Sequence, residues 1–247
     1  MPPWFSRKSD PNISLAMDNI SIKENLEEIL YRIKKASDNR DNVKLLAVSK
    51  TKPVEMILEA FNAGQRRFGE NKVQEARDKA PQLPAELDWH LIGPLQKNKA
   101  KYCPAIFTTI HTIHRADVAE ELNRRCKAAG KTLDILIQMN LTDEDTKSGI
   151  TEIDDLRKLE DYILTCENLR LTGLMTMGDP GASESETREV FRKLHEIIGK
   201  EAQRLYLQHQ MVELSTGMSD DFELALREGA TYVRIGSAIF GGRYYKR

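Results

Sequence analysis

Lys50 closes the apolar run of LLAVSKTKP, residues 45 to 53. A continuous apolar stretch bounded by turn residues reads as a strand buried on both faces, with Lys50 at its C-terminal tip. That tip is where open and closed α/β sheets place their chemistry. The plainer alternative is a lysine whose stem packs on the strand end while its ammonium lies in water. Near the other end of the chain, LSTGMSDDFELALREG joins a strand to a helix through Gly217, and VRIGSAIFGGR repeats the arrangement with Gly236 and Ser237. Ser219 or Asp220 is available as the helix cap in the first, where Asp220 and Glu223 also have capping-box spacing. Helix starts expose N–H groups and a positive dipole end, so both turns suit an anion such as phosphate, although each alone is also an ordinary cap. Alternation in YVRIG sets Arg234 with Tyr232 and Gly236, opposite Val233 and Ile235. If helices cover the Val/Ile face, Arg234 points inward and needs an anion, a hydrogen-bonding ligand or a structural ion pair.

Those residues need a scaffold that brings distant strand tips together. From residue 44 onward short apolar runs alternate with amphipathic stretches, with no linker-like or low-complexity segment between them. The expected strands are 44–50, 66–70, 88–93, 106–113, 133–140, 169–178, 211–217 and 232–236. Successive tips lie between 19 residues (Gly217 to Gly236) and 39 residues (Gly178 to Gly217) apart, enough for a parallel crossover each time. VEMILEAFNAG illustrates the helices, with an apolar face on Ile57, Leu58 and Phe61 and a stop at Gly64. Residues 20–37 form an amphipathic helix ahead of the first strand that would supply the covering helix the abbreviated C-terminus lacks. Eight units in 247 residues point to an α/β fold, a single (β/α)8 TIM barrel, although an open doubly wound sheet shares the local pattern. Residues 1–17 are expected to be a flexible N-terminal extension and 18–247 the barrel domain.

Charge and composition exclude several functions. With 37 basic and 38 acidic residues the net charge is -1, which leaves no electrostatic footprint for nucleic acid or an anionic membrane. No apolar run approaches the roughly 18 residues of a membrane span, and the N-terminus has no signal-like apolar core. Cys103, Cys126 and Cys166 are far apart, which argues against a disulfide framework or zinc site and for a reducing, cytoplasmic compartment. His111 and His114 form an H-x-x-H at a strand-to-helix junction with no third ligand beside it, so no metal is expected. KNKAK, 97–101, reads as the solvated face of a helix.

The ordered motifs AVSKTKP, FGENKVQEA, WHLIGPLQKNK, TKSGI, GLMTMG and GMSDDFELALREGATYVRIGSAIFGGR together resemble the YggS/PROSC family of pyridoxal 5'-phosphate (PLP) homeostasis proteins, over about residues 44 to 243. The resemblance implies a barrel like the N-terminal domain of alanine racemase (PLP fold type III). It implies PLP held as a Schiff base on Lys50, a role in vitamin B6 homeostasis, no established turnover, and apo PLP-dependent enzymes as recipients. By matched position the phosphate would lie on Ser219, Gly236 and Ser237, and Arg234 would face the pyridine nitrogen. An always-cationic arginine there disfavours protonation of that nitrogen and weakens the electron sink a carboxylate would sustain.

Asn71, His90, Met175 and Met218 match family positions lining the pocket, and Lys147 of TKSG matches a loop lysine implicated in handing PLP over. Asn71 could equally cap a helix, Met175 could be packing, His90 a core histidine and Lys147 a solvated loop residue. The sequence departs from the family pattern at Lys72, Thr216 and His114, which bears on pocket polarity more than on PLP binding. Two other readings are a PLP-dependent amino-acid racemase and a cofactor-free Schiff-base aldolase. A racemase needs a second proton-transfer group opposite the lysine, and the 11 residues after Gly236 hold only Tyr244 and Tyr245 as candidates.

Overall fold

The structure is a computed structural model and describes residues 21–142, 148–207 and 209–242. The expected flexible extension, Lys147, Tyr244 and Tyr245 lie outside the described residues. Eight strands run in chain order around a closed, all-parallel barrel: β1 Lys44–Val48, β2 Arg67–Glu70, β3 Asp88–Leu91, β4 Thr109–Ile113, β5 Leu133–Gln138, β6 Leu169–Met175, β7 Glu213–Ser215 and β8 Tyr232–Ile235. β8 returns to β1 in register Lys44 with Tyr232 and Ala47 with Ile235. Closure removes both sheet edges, and it separates this fold from the open doubly wound sheet that shares its local pattern.

The helices are α1 Ile22–Ala36, α2 Val54–Asn62, α3 Val73–Lys79, α4 Ala116–Ala129, α5 Ile153–Leu164, α6 Glu184–Arg204, α7 Phe222–Arg227 and α8 Ser237–Phe240. α1 starts on a full capping box, in which the Ser21 hydroxyl accepts from the Glu24 N–H while the Glu24 carboxylate accepts from the Ser21 N–H. Its buried Ile22, Leu26, Ile29 and Ile33 recur at spacings of four, three and four and pack on α2, α7 and α8, so α1 covers the seam as the sequence suggests. In α2 the buried residues are Ile57 and Ala60, whereas Leu58 is exposed; the expected apolar face is rotated toward Ala60. The crossover from β3 to β4, expected as a helix at KNKAK, is a 3₁₀ segment over Lys97–Ala105. Pro104 lies inside it and cannot donate to an α-helical ladder.

Apolar packing falls into two shells. The larger lies between strands and helices and takes one residue in two from each strand, for example Leu45 and Ala47 of β1 and Val233 and Ile235 of β8. Inside the barrel the filling is small and mixed. Leu46, Val48, Leu136, Met175 and Tyr232 are buried there beside the polar His90, His111, Gln138, Ser215 and Arg234. Gly69 also faces this interior, where a Cβ on it would sit 3.1 Å from Ile92 Cδ1 and 3.2 Å from Leu46 Cδ2. A barrel interior is normally filled by branched apolar layers. Its replacement here by hydrogen-bonding side chains leads to the site.

Candidate functional site

The backbone that presents Lys50 is pinned on both sides. Ser49 donates its N–H to Gly69 O at 3.0 Å and its hydroxyl to Glu70 Oε1 at 2.7 Å. Lys79, at the end of α3, donates to Ser49 O (2.9 Å), Glu70 Oε1 (2.9 Å) and Glu75 Oε1 (2.7 Å). Glu75 in turn accepts from the Thr51 N–H at 2.5 Å. Between these anchors Thr51 adopts φ +62°, the left-handed region that a β-branched residue rarely enters. The cost is about 1–2 kcal/mol, and it persists only because both neighbouring peptide groups are fixed. Burial raises the Glu70 carboxyl above its ordinary range, with the Lys79 charge opposing it.

Lys50 projects into a cavity of about 280 Å³ at the C-terminal mouth of the barrel. The same cavity is lined by Asn71, Ile92, Met177, Met218, Ser219, Asp220, Arg234, Gly236 and Ser237. Its floor contact is Val48, and a Cβ at Gly236 would come within 3.1 Å of Val48 O. Any larger residue there would crowd the opening between β8 and α8.

The two expected helix-start turns meet across the mouth. The helix after Gly217 begins later than the capping pattern implied, for its N-cap is Asp221, whose Oδ1 accepts from the Met218 N–H at 2.5 Å. Ser219 is therefore not a cap. Its hydroxyl accepts instead from the Ser237 hydroxyl at 3.0 Å, which joins the seventh and eighth turns of the barrel at the rim. Gly217 is required by its own geometry: φ is +87°, and a Cβ would lie 2.6 Å from Ala225 Cβ. Lys52, buried, donates to the carbonyls of Phe240 (3.1 Å), Gly241 (2.8 Å) and Gly242 (2.6 Å), and burial lowers its pKa. It thus anchors the carbonyl end of α8 while the amide end of that helix faces the cavity.

Arg234 does point inward. Its guanidinium donates to Ser215 Oγ at 2.8 Å and to Thr176 O at 3.0 Å. Burial pulls it down to about 10, with the Asp221 charge opposing, so it remains a cation at neutral pH.

Of the residues read from the sequence, Lys50, Asn71, Met218, Ser219, Arg234, Gly236 and Ser237 line one cavity. His90 and Met175 do not. Each lies within the barrel one inward step below the mouth, under Ile92 and Met177 respectively, because inward-facing residues recur every second position along a strand. His111 and His114 diverge: His111 turns into the barrel toward Ser215 at 2.8 Å, while His114 Nδ1 contacts Thr112 O at 3.0 Å. Thr51, Lys52, Glu75, Lys79, Ile92 and Met177 were missed. Only Lys52, two residues beyond Lys50, carried a signal worth following. The set offers an amine, two hydroxyls on helix-opening turns and a buried cation at separate positions around one small hollow, which suits a phosphorylated aldehyde bearing a basic ring nitrogen.

Comparison with known proteins gives the same picture. The alanine racemase N-terminal domain family matches residues 21–244. The pyridoxal phosphate homeostasis protein of Vibrio cholerae is 43% identical over 238 residues, covering 92% of this chain and 98% of that one; the protein of the same name from Haemophilus influenzae is 40% identical over 233 residues, covering 92% and 98%. Among solved structures, PipY of Synechococcus elongatus with PLP bound superposes with a TM-score of 0.81 at 35% identity, over 90% of this chain and all of that one. Alanine racemase of Clostridium difficile shares the fold alone, with a TM-score of 0.70 at 14% identity, and this chain covers 57% of it.

Proposed function

This chain belongs to the alanine racemase N-terminal domain family, and from that premise we propose that it is a pyridoxal 5'-phosphate homeostasis protein that holds the cofactor at the barrel mouth. The observation that carries the reading is the convergence of Lys50, the Ser219–Ser237 pair and Arg234 on one cavity. When bound, PLP supplies an aldehyde that an amine captures reversibly and an electron-withdrawing ring. Lys50 is the capturing amine. Ser219 and Ser237 hold the phosphate with the opening turn of α8, whose first N–H groups have no intrahelical acceptors. Arg234 faces the ring nitrogen and disfavours its protonation. Asn71 and Met218 shape the wall, and Lys147 serves in cofactor transfer.

The role we infer is carriage without turnover. The cavity, at about 280 Å³, falls just below the roughly 300–1,000 Å³ usual for small-molecule pockets, which leaves little space for an amino acid beside the cofactor. Among the described residues lining it there is no Tyr, His or Cys to act as a second proton-transfer group. Lys52 is committed to three carbonyls, and Asp220 sits exposed at the rim. Delivery to apo-enzymes in the cytoplasm is the matching cellular role; no helix of the described residues is long and apolar enough to cross a membrane.

The absorption spectrum of the purified protein with PLP, before and after Lys50→Ala, tests the reading. A visible band present in the first and absent in the second is expected; no band in either would favour a cofactor-free aldolase. Incubation with D- and L-amino acids should show negligible racemisation, and steady turnover near about 1 per second would overturn the carrier role.

A further inference from the structure

Beneath the cavity, a line of hydrogen-bonding side chains crosses the barrel interior from β3 to β8. Arg234 Nη1 lies 2.8 Å from Ser215 Oγ, Ser215 Oγ lies 2.8 Å from His111 Nδ1, and His111 Nε2 lies 2.8 Å from His90 Nδ1. His90 Nε2 then faces Asp88 Oδ2 at 3.2 Å, off the ring N–H axis, so that this last contact is a bent one. Both rings are almost fully buried.

The proton positions follow from the two ends. A guanidinium can only donate, so Ser215 Oγ accepts from Arg234, which leaves it a second lone pair and one hydrogen for His111 Nδ1; the Asp88 carboxylate at the other end selects the hydrogen. A neutral imidazole that accepts at Nδ1 carries its proton on Nε2, and His111 therefore donates to His90 Nδ1. His90 is thereby also fixed with its proton on Nε2, directed at Asp88. Running the chain the other way with neutral rings would set a bare His90 Nε2 lone pair against a carboxylate. Asp88 is ionised: burial works to raise it, but hydrogen bonds from His90 and Thr108 and the Arg67 charge outweigh that and hold it at about 2. Burial, with the charges of Arg234 and Lys44, keeps His111 well below the usual imidazole range and hence neutral.

We propose that Asp88, His90, His111 and Ser215 form a one-directional hydrogen-bond chain that positions Arg234, its direction set by the Asp88 carboxylate at the far end of the barrel. These four are positioning residues. A carboxylate in direct contact would fix the arginine equally well but would cancel its field at the cavity. Two neutral rings and a hydroxyl bring no charge against it, so the guanidinium keeps its remaining donors and its charge for the ligand. This rests on the PLP reading only in naming the ligand's ring nitrogen as what Arg234 faces.

Two measurements on the full-length chain separate the possibilities. Nitrogen-15 spectra of the histidine-labelled protein report the tautomers without any cofactor. His90 and His111 should both carry their proton on Nε2 and leave Nδ1 bare; a proton on Nδ1 of either would overturn the chain. In the loaded protein, release of PLP should be about tenfold faster or more in Ser215→Ala and His111→Leu, since a buried hydrogen bond to a charged group is lost. His111→Asn, whose carboxamide oxygen lies where Nδ1 does, should stay within about threefold of the parent. Parent-like release from folded His111→Leu, or an Asn variant as fast as the Leu one, would contradict the proposal. If the parent takes up no PLP, the cofactor reading fails while the nitrogen spectra still decide the chain.

Discussion

Ser219 and Ser237 are the residues whose contribution to binding is simplest to isolate, because each is a single hydroxyl at the rim and the two hydrogen-bond each other at 3.0 Å. Replacing either by Ala should weaken PLP retention by about tenfold without shifting the visible band, since a hydrogen bond to a charged group is worth about 1.5–3 kcal/mol and Lys50 is untouched; equilibrium dialysis with the absorption spectrum reads both. At this scale the sequence was informative wherever local pattern decides orientation. Alternation alone put Arg234 inside, and the strand-tip position put Lys50 at the mouth. It misled where a neighbour in space decides. The helix starts one or two residues later than the capping pattern implied, at Asp221, whose carboxylate bonds back to the Met218 N–H rather than forward into the helix, and no spacing rule foresees that. His90 and Met175 missed the cavity by one inward step, a depth that depends on how far each strand extends.

At the scale of elements, the β1 and β2 tips are held to α3 by charge. Lys79 is nearly buried and serves three acceptors, with Glu70 fully buried behind it. Lys79→Met should destabilise the protein by about 3–5 kcal/mol, because it leaves carboxylates buried without their partner; Lys79→Arg should recover part of it. Urea midpoints measure this, and a change under about 1 kcal/mol for the Met variant would show that the clamp on Lys50 is not structural. A second charged joint lies between α5 and α6. Arg204 donates to Glu160 Oε2 at 2.6 Å and Arg157 to Glu201 Oε1 at 3.0 Å, while Glu160 Oε1 is buried without a hydrogen bond. Burial and the nearby Glu201 charge lift the Glu160 carboxyl to about 7 against the pull of Arg204. A carboxyl raised in the fold stabilises fully below its unfolded value near 4.5, and that stability is lost as pH climbs through about 7. Unfolding free energy should therefore fall on the order of 1 kcal/mol between about pH 5 and about pH 8, and Glu160→Gln should flatten that slope.

Considered whole, the molecule is legible from its sequence in count and order of strands because short strand-like runs such as KLLAV and LDILIQ alternate with amphipathic stretches and each crossover is long enough for a parallel return. The exceptions are physical. Lys97–Ala105 has helix-like composition, but Pro104 holds it in 3₁₀ turns; Leu58 was assigned inward by periodicity, although the smaller Ala60 takes the contact. The polar barrel interior was beyond reach, since His90 and His111 meet only after β3 and β4 pair, and Ser215 joins them from more than a hundred residues away. In that interior the polar groups face one another and Arg234 rather than the cavity. The central claim is tested most directly by reducing the protein with borohydride in the presence of PLP and mapping the adduct by peptide mass spectrometry. The account predicts one pyridoxyl group, on Lys50 and absent from Lys50→Ala. A dominant adduct on Lys52 or any other lysine, with Lys50 unmodified, would contradict it.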